Sequence, residues 1–190
     1  PVELMHGHVI DLIEKDVDYI FLPFIVNTKE SEGNKTFNCN CPWIQTYPFM
    51  VKAGLRGKVD ESKLLMPTLH FRFFERALVG EMTGYFNEKF GLSKAVIKNA
   101  VYKADEIQVS FEKRLIDYGK DALNSIPENC RPVILLGRPY NSTDQHLNLG
   151  LVEKLINQNV MPIPLDMLDL SPYNIFENYR NMYWPNGQMI

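Results

Sequence analysis

The sequence predicts an α/β fold in which a mostly parallel sheet carries helices on both faces. Short apolar runs, typical of buried strands, alternate along the chain with segments whose apolar residues recur at helical spacing. The clearest strand–helix–strand pattern lies near the C-terminus, with apolar runs at residues 133–136 and 160–165 and a helical segment at 147–156. Because strands joined through a helix pair in parallel, this arrangement predicts a βαβ unit.

The length and composition fit one domain or two small subdomains. The chain has 190 residues, of which 45% are hydrophobic and 23% charged, ordinary values for a globular protein. Pro127 and Pro132 interrupt the helix and strand patterns and indicate a linker. We therefore expect subdomains at residues 1–125 and 132–190. No methionine precedes Pro1 and no terminating signal follows Ile190, so we expect both ends to be cut from a longer protein.

Charge and cysteine content argue against several classes of partner. A net charge of -3 without a basic stripe predicts no nucleic-acid partner. The longest apolar run, residues 20–26, contains Pro23 and is too short to cross a bilayer, so no membrane partner is expected. Three cysteines make a poor disulfide framework, which predicts a reducing, cytoplasmic location.

The elements of the first subdomain follow from apolar spacing and end signals. They are a helix at residues 8–17, a strand at 19–22, a helix opened by Cys41-Pro42 and ended by Gly54 or Gly57, a strand at 63–69, and a helix at 71–90 closed by Gly91. Ser93 is the predicted N-cap of the longest helix.

This longest helix carries an apolar stripe. The stripe consists of Ala100, Ala104, Ile107, Phe111, Leu115, Tyr118 and Ala122. Their spacing of 4, 3, 4, 4, 3 and 4 residues predicts one buried helical face. If Phe111 is fully buried in it, Phe111→Ala costs about 3–5 kcal/mol.

Polar residues follow each predicted strand at its carboxyl end, where parallel sheets gather their ligands. The residues are Asn27, Lys29 and Glu30 after the first strand, Thr68 and His70 after the second, Arg138, Asn141 and Asp144 after the third, and Asp166 after the fourth. The predicted sheet places these side chains along one edge.

Cys41 precedes a predicted helix, where exposed N–H groups and the positive end of the helix dipole stabilise a thiolate. Soft metals and iron–sulfur clusters need thiolate ligands. The alternative is a free, half-buried cysteine. Cys39 adds a C-x-C spacing, but the sequence has no C-x2-C pair, so the spacing leaves both interpretations open.

The segment His6-Gly7-His8 brings two imidazoles close together in sequence. A metal needs three or four ligands, and no third ligand stands nearby in the sequence. The two histidines therefore suit a role as hydrogen-bond donors to a ligand or a cluster sulfur. The alternative is a pair of histidines near a helix N-terminus, partly in solvent.

A second candidate site follows the apolar run at 133–136. Arg138 offers a planar fork for a carboxylate or phosphate, and Asn141 and Asp144 can order the loop or hold a hydroxyl. The next helix would point its first N–H groups at an anion. Alternatively, the same residues are ordinary turn formers and caps. The sequence has no P-loop, dinucleotide-binding, serine-hydrolase or H-E-x-x-H motif.

Five segments together match one family in its own order and over almost the whole chain. They are His6-Gly7-His8, residues 18–23, Cys41-Pro42 with Gln45, Tyr47 and Pro48, residues 136–141 with Asp144 and residues 148–150, and residues 183–188. With them the chain resembles the CoA enzyme activase-related domain of large proteins similar to activators of (R)-2-hydroxyglutaryl-CoA dehydratase.

The resemblance implies a dehydratase-like region of an iron–sulfur protein, with a Rossmann-like α/β fold. In the relatives, cysteines from separate loops hold a [4Fe–4S] cluster, and Cys41 is the residue of this chain that matches such a position. The resemblance thus implies Cys41 as a metal ligand with His6, His8 and Gln45 around it. Its further ligands would lie beyond both ends, so no cluster is expected in this chain alone.

The resemblance also implies a role in ATP-driven, low-potential electron transfer or reduction. An ATPase activase module, in the same chain or a partner chain, would supply the ATP hydrolysis. A pocket lined by Arg138, Asn141, Asp144 and Asn148 would take an acyl-CoA or another small molecule. Two other interpretations stay open: a metal-free docking or interaction module, and an acyl-CoA or anion-binding domain that uses the Arg138 loop.

Overall fold

A computed structural model describes residues 2–29, 38–170 and 172–173 and shows a mixed α/β chain with short parallel strand pairs. Its helices are α1 (Val2–Glu14), α2 (Pro42–Gly54), α3 (Val79–Phe90), α4 (Lys94–Asn124), α5 (Pro139–Thr143) and α6 (Leu151–Ile156). Its strands are β1 (Ile20–Phe21), β2 (Phe24–Asn27), β3 (Leu64–Leu65), β4 (Thr68–His70), β5 (Arg131–Leu135) and β6 (Val160–Pro164). No helix in these ranges combines the length and apolar character needed to cross a membrane.

Prolines divide the first parallel ribbon into two short ladders. β1 pairs with β3, and β2 pairs with β4, all in parallel. Pro23 and Pro67 lie between the ladders and have no N–H to donate. Single backbone bonds carry the pairing across the gap, from the Leu22 N–H to the Leu65 carbonyl and from the Phe24 N–H to the Pro67 carbonyl.

β5 and β6 form a separate parallel pair, from Arg131 beside Val160 to Leu135 beside Pro164. The predicted alternation of strands and helices is therefore present. Each sheet within the described ranges has two strands, so a continuous, Rossmann-like sheet with helices on both faces stays a prediction.

The main apolar core lies where α1 and α2 cover the first ribbon. Its buried members are Val9 of α1, Val51 of α2, Leu55 just after α2, and Ile20, Leu22 and Leu64 from the ribbon. Complete burial of such a side chain contributes about 1.5–3 kcal/mol. This core fixes the direction of α2, whose N-terminus carries Cys41.

Contacts divide the chain into two compact units that meet inside α4, one reaching Val101 and the other beginning at Tyr102. The predicted end of α3 and start of α4 are confirmed, whereas the helix predicted from residue 71 is wrong at its start, since α3 begins only at Val79 after a 3₁₀ turn and a π turn. Gly91 ends α3 with a φ of 67°, and the Ser93 Oγ accepts the Val96 N–H at the start of α4. The predicted subdomains, residues 1–125 and 132–190, stay a prediction.

The predicted buried face of α4 is wrong over most of its length, since Ala100 and Ala104 at its start are exposed as well. Ile107, Phe111 and Tyr118 are 60%, 49% and 71% exposed. The face of α4 that another element covers contains Gly119, which is buried against Met167. Regularly spaced apolar residues show which residues share one face of a helix, but only tertiary packing decides whether another element covers that face.

Candidate functional site

The carboxyl ends of β2 and β4 meet at one edge, as the sequence predicts. Asn27 lies beside His70 in the parallel register, after an irregularity between Ile25 and Asn27. Asn27 is 7% exposed, and its Oδ1 accepts the backbone N–H of Arg72 at 2.9 Å. The side-chain amide therefore fixes the turn that follows β4.

A short segment before α2 lines the other side of β2. Cys39 forms an antiparallel bridge with Asn27, and the Asn40 N–H donates to the Val26 carbonyl oxygen at 2.9 Å. The side-chain amide of Asn40, itself buried, donates to the Ile25 carbonyl oxygen at 3.1 Å. With neighbouring backbones about 4.8 Å apart, Cys39 and His70 flank Asn27 at about 10 Å from each other.

Cys41 is the N-cap of α2. The segment before it runs antiparallel to β2, with Cys39 beside Asn27 and Asn40 beside Val26, so Cys41 lies back from the carboxyl end of β2. Its backbone is extended, with φ -61° and ψ 154°, and Pro42 begins the helix. The Cys41 carbonyl accepts the N–H groups of Ile44 and Gln45. The Gln45 side-chain amide donates to the Asn40 carbonyl oxygen, so Gln45 holds the backbone just before Cys41. The cysteine is half-buried.

His6 lies at the other end of α2. Its Nδ1–H donates to the Val2 carbonyl oxygen at 2.9 Å, and its Nε2 lies against Gly54, where a Cβ would collide with it. The 13 residues of α2 separate that end from Cys41 by about 20 Å. His8 is exposed on α1. The structure thus joins Gln45 to the Cys41 segment but places His6 far from it.

A pair that sequence reasoning missed stands at the end of β4. His70 Nδ1 lies 2.6 Å from Glu81 Oε1, and the His70 backbone N–H donates to Glu81 Oε2 at 2.9 Å. The two side chains are 35% and 28% exposed. A regular helix from residue 71 would carry Glu81 about 15 Å away. Instead, a 3₁₀ turn (Phe71–Phe73) and a π turn (Phe74–Leu78) bring the chain back to His70.

The Arg138 loop lies in the second unit, between β5 and α6. Arg138 is the N-cap of α5, and its Nη1 donates to the Tyr140 hydroxyl at 3.2 Å. Asp144 Oδ1 accepts the N–H groups of His146 and Leu147, and Asn148 Oδ1 accepts that of Leu151. Asp144 and Asn148 therefore stabilise turns, while the Asn141 side chain is exposed.

The described residues do not by themselves fit a complete iron–sulfur cluster. Across residues 2–29, 38–170 and 172–173, no group of three or more His, Cys, Asp or Glu residues is placed to hold a metal ion. Cys41 and Cys39 lie together, whereas Cys130 belongs to the second unit. A cluster at Cys41 would need thiolates from outside these ranges.

Comparison with known proteins identifies the family. The family model of the CoA enzyme activase uncharacterised domain matches residues 1–168. This range includes α1 to α6 and both candidate sites. No curated protein and no solved structure matches the chain. The chain belongs to the CoA enzyme activase uncharacterised domain family.

Proposed function

We propose that this chain is part of an iron–sulfur protein of the 2-hydroxyacyl-CoA dehydratase and activase type. It takes part in ATP-driven, low-potential electron transfer or reduction, together with an ATPase activase module in the same chain or a partner chain. Its substrate is an acyl-CoA or another small molecule, and its compartment is the cytoplasm. Membership in the CoA enzyme activase family supports the link to an activase system.

The position of Cys41 is the observation that carries the proposed role in metal binding. A thiolate ligand there would lie at the positive end of the α2 dipole, directly after the segment that pairs with β2. Val51 and Leu55 anchor α2 in the core, so the N-cap position is held by a rigid element. Gln45 restrains the preceding backbone. Cys41 would supply one thiolate, and other parts of the protein the rest.

The test is the iron and acid-labile sulfide content of the complete protein, purified without oxygen. We compare the native protein with Cys41→Ala, and use Cys130→Ala as the matched control because Cys130 is equally half-buried but lies in the second unit. The native protein and the control are expected to hold about four irons per cluster. Cys41→Ala is expected to lose most of them, together with the electron paramagnetic resonance signal of the reduced cluster.

Two results would contradict the proposal. Native protein without iron would favour the metal-free docking module. Equal iron in Cys41→Ala and Cys130→Ala would show that Cys41 is not a ligand, and the position of the cluster would have to be sought elsewhere in the protein.

A further inference from the structure

The edge formed by β2 and β4 contains a histidine–carboxylate pair that the proposed cluster does not use. Glu81 accepts two hydrogen bonds from His70, one from the ring and one from the backbone. A rotation of the imidazole would break the 2.6 Å contact, while the backbone bond keeps the carboxylate in place. The orientation of the ring is therefore fixed by a residue on a different element, α3.

The other ring nitrogen of His70 is available to a bound molecule. When Nδ1–H donates to a carboxylate, a neutral imidazole carries its lone pair on Nε2. No hydrogen bond joins Nε2 to the described part of the chain, and Nε2 is not among buried polar atoms without a partner. About a third of the side chain is exposed, and Nε2 is not a fully buried atom, so a bound molecule can reach it.

The neighbours of His70 favour ligand binding at this place. Asn27 lies beside it and Cys39 beside Asn27, so polar and sulfur-bearing residues occupy three adjacent backbone segments. The carboxyl ends of parallel strands are the usual ligand position in α/β proteins. The π turn between His70 and Glu81 is a rare element that often accompanies functional sites.

We propose that His70 exchanges a proton with a small molecule that carries a hydroxyl or another weakly acidic O–H group, and that Glu81 is its positioning residue. In this step the O–H bond breaks, the electron pair stays on the ligand oxygen, and the proton passes to Nε2. The Glu81 carboxylate stays ionised and compensates the imidazolium charge. The reverse step returns the proton. Neither step depends on iron.

If the contact served only to hold β4 against α3, the His70 ring would be no more reactive than the imidazoles of the other histidines. Diethyl pyrocarbonate distinguishes the two cases, because it acylates accessible imidazole nitrogens that carry a lone pair. The complete protein is treated at pH 7.5, and modified histidine peptides are quantified by mass spectrometry. His70 is expected to react at least about threefold faster than the exposed His8 and His146 in the same sample, because the carboxylate activates Nε2.

The positioning role is tested by Glu81→Gln, with Glu88→Gln as the matched control on an exposed position of the same helix. Glu81→Gln is expected to lower the His70 rate to that of His8 or below, and Glu88→Gln to leave it unchanged. Circular dichroism checks that both variants fold. If Glu81→Gln does not fold, the modification rate of His70 relative to His8 and His146 in the native protein tests the inference.

Two outcomes would overturn this inference: a native His70 that reacts no faster than His8, or a His70 rate that is the same in Glu81→Gln and Glu88→Gln. Iron content tests the proposed function separately, because neither glutamate belongs to the Cys41 segment.

Discussion

Replacing Gly119 by alanine tests the close packing inside the second unit. Gly119 lies in the C-terminal half of α4 and is buried against the 3₁₀ turn Leu165–Met167 that follows β6. A Cβ added at Gly119 would overlap the Met167 carbonyl oxygen and lie 2.8 Å from the carbonyl carbon and 2.9 Å from the Met167 Cβ. Two of these atoms are backbone, so the turn itself must move.

Two effects of opposite sign compete in this variant. Glycine inside a helix is about 1 kcal/mol less favourable than alanine, so the substitution alone would stabilise α4. Overpacking a close contact costs about 1–3 kcal/mol, and more where backbone must shift. Because the obstacle is a carbonyl group rather than a flexible side chain, the cost exceeds the gain. We expect a net destabilisation of about 1–2 kcal/mol, which lowers the melting temperature by about 2–8 °C in a chain of this size.

Thermal unfolding followed by circular dichroism measures this effect, with Gly84→Ala as the control. Gly84 lies inside α3 with no atom within 4 Å of an added Cβ. Its alanine variant is therefore expected to gain up to about 1 kcal/mol from helix propensity. If Gly119→Ala is as stable as Gly84→Ala or more so, α4 does not approach Met167 and the packing described for the second unit is refuted.

Three further predictions concern stability and metal content. In urea unfolding, Leu55→Ala should lower the free energy of unfolding by about 2–5 kcal/mol because Leu55 is buried, and Phe111→Ala by only about 1 kcal/mol because Phe111 is half-exposed. Equal decreases would show that Phe111 is part of the core. A hydrogen bond and charge attraction from Lys63 lower the pKa of Asp16, and the same hydrogen bond raises the pKa of Lys63. The pair should therefore stabilise the fold at pH values above the ordinary Asp pKa and below the ordinary Lys pKa. This stabilisation should be lost as the pH falls through the lowered Asp16 pKa and as it rises through the raised Lys63 pKa. In Lys63→Met, the melting temperature should depend less on pH in both ranges. The 190-residue chain alone, reconstituted without oxygen, should hold no stable cluster by iron and sulfide analysis, because no three possible ligands among its described residues are placed to hold a metal. A stoichiometric cluster would contradict this expectation.

Local signals predicted the first ribbon and the ends of several helices. Pro42 after Cys41 predicts a helix start, and Gly91 with positive φ ends α3 where the sequence indicates. The polar residues after the apolar runs predict the edge that joins Asn27 and His70. These features depend on a few neighbouring residues, so a single sequence contains the information that determines them.

The remaining features depend on contacts between distant elements. The apolar period of α4 predicts a helix but does not tell which side another element covers, and Phe111 is half-exposed as a result. The sequence also does not show that Glu81 is the hydrogen-bond partner of His70, because Glu81 comes 11 residues later, after two irregular turns. Neither a 3₁₀ turn nor a π turn has a sequence signal as clear as a proline or a glycine cap.

The two ends of α2 show why residues that match one family need not share one site. A helix of 13 residues has a fixed length of about 20 Å, so Cys41 before its first turn and Gly54 in its last turn cannot contact the same small group. His6 contacts the Gly54 end, and its Nδ1–H is engaged by the Val2 carbonyl oxygen of its own helix. A hydrogen bond spans only about 3 Å, so His6 can influence the Cys41 segment only through the packing of α1 on α2. Gln45, by contrast, lies in the first turns of α2, and its side-chain amide donates to the Asn40 carbonyl oxygen. Metal content at Cys41 should therefore be more sensitive to substitution of Gln45, which holds the backbone just before Cys41, than of His6, although the family motif contains both residues.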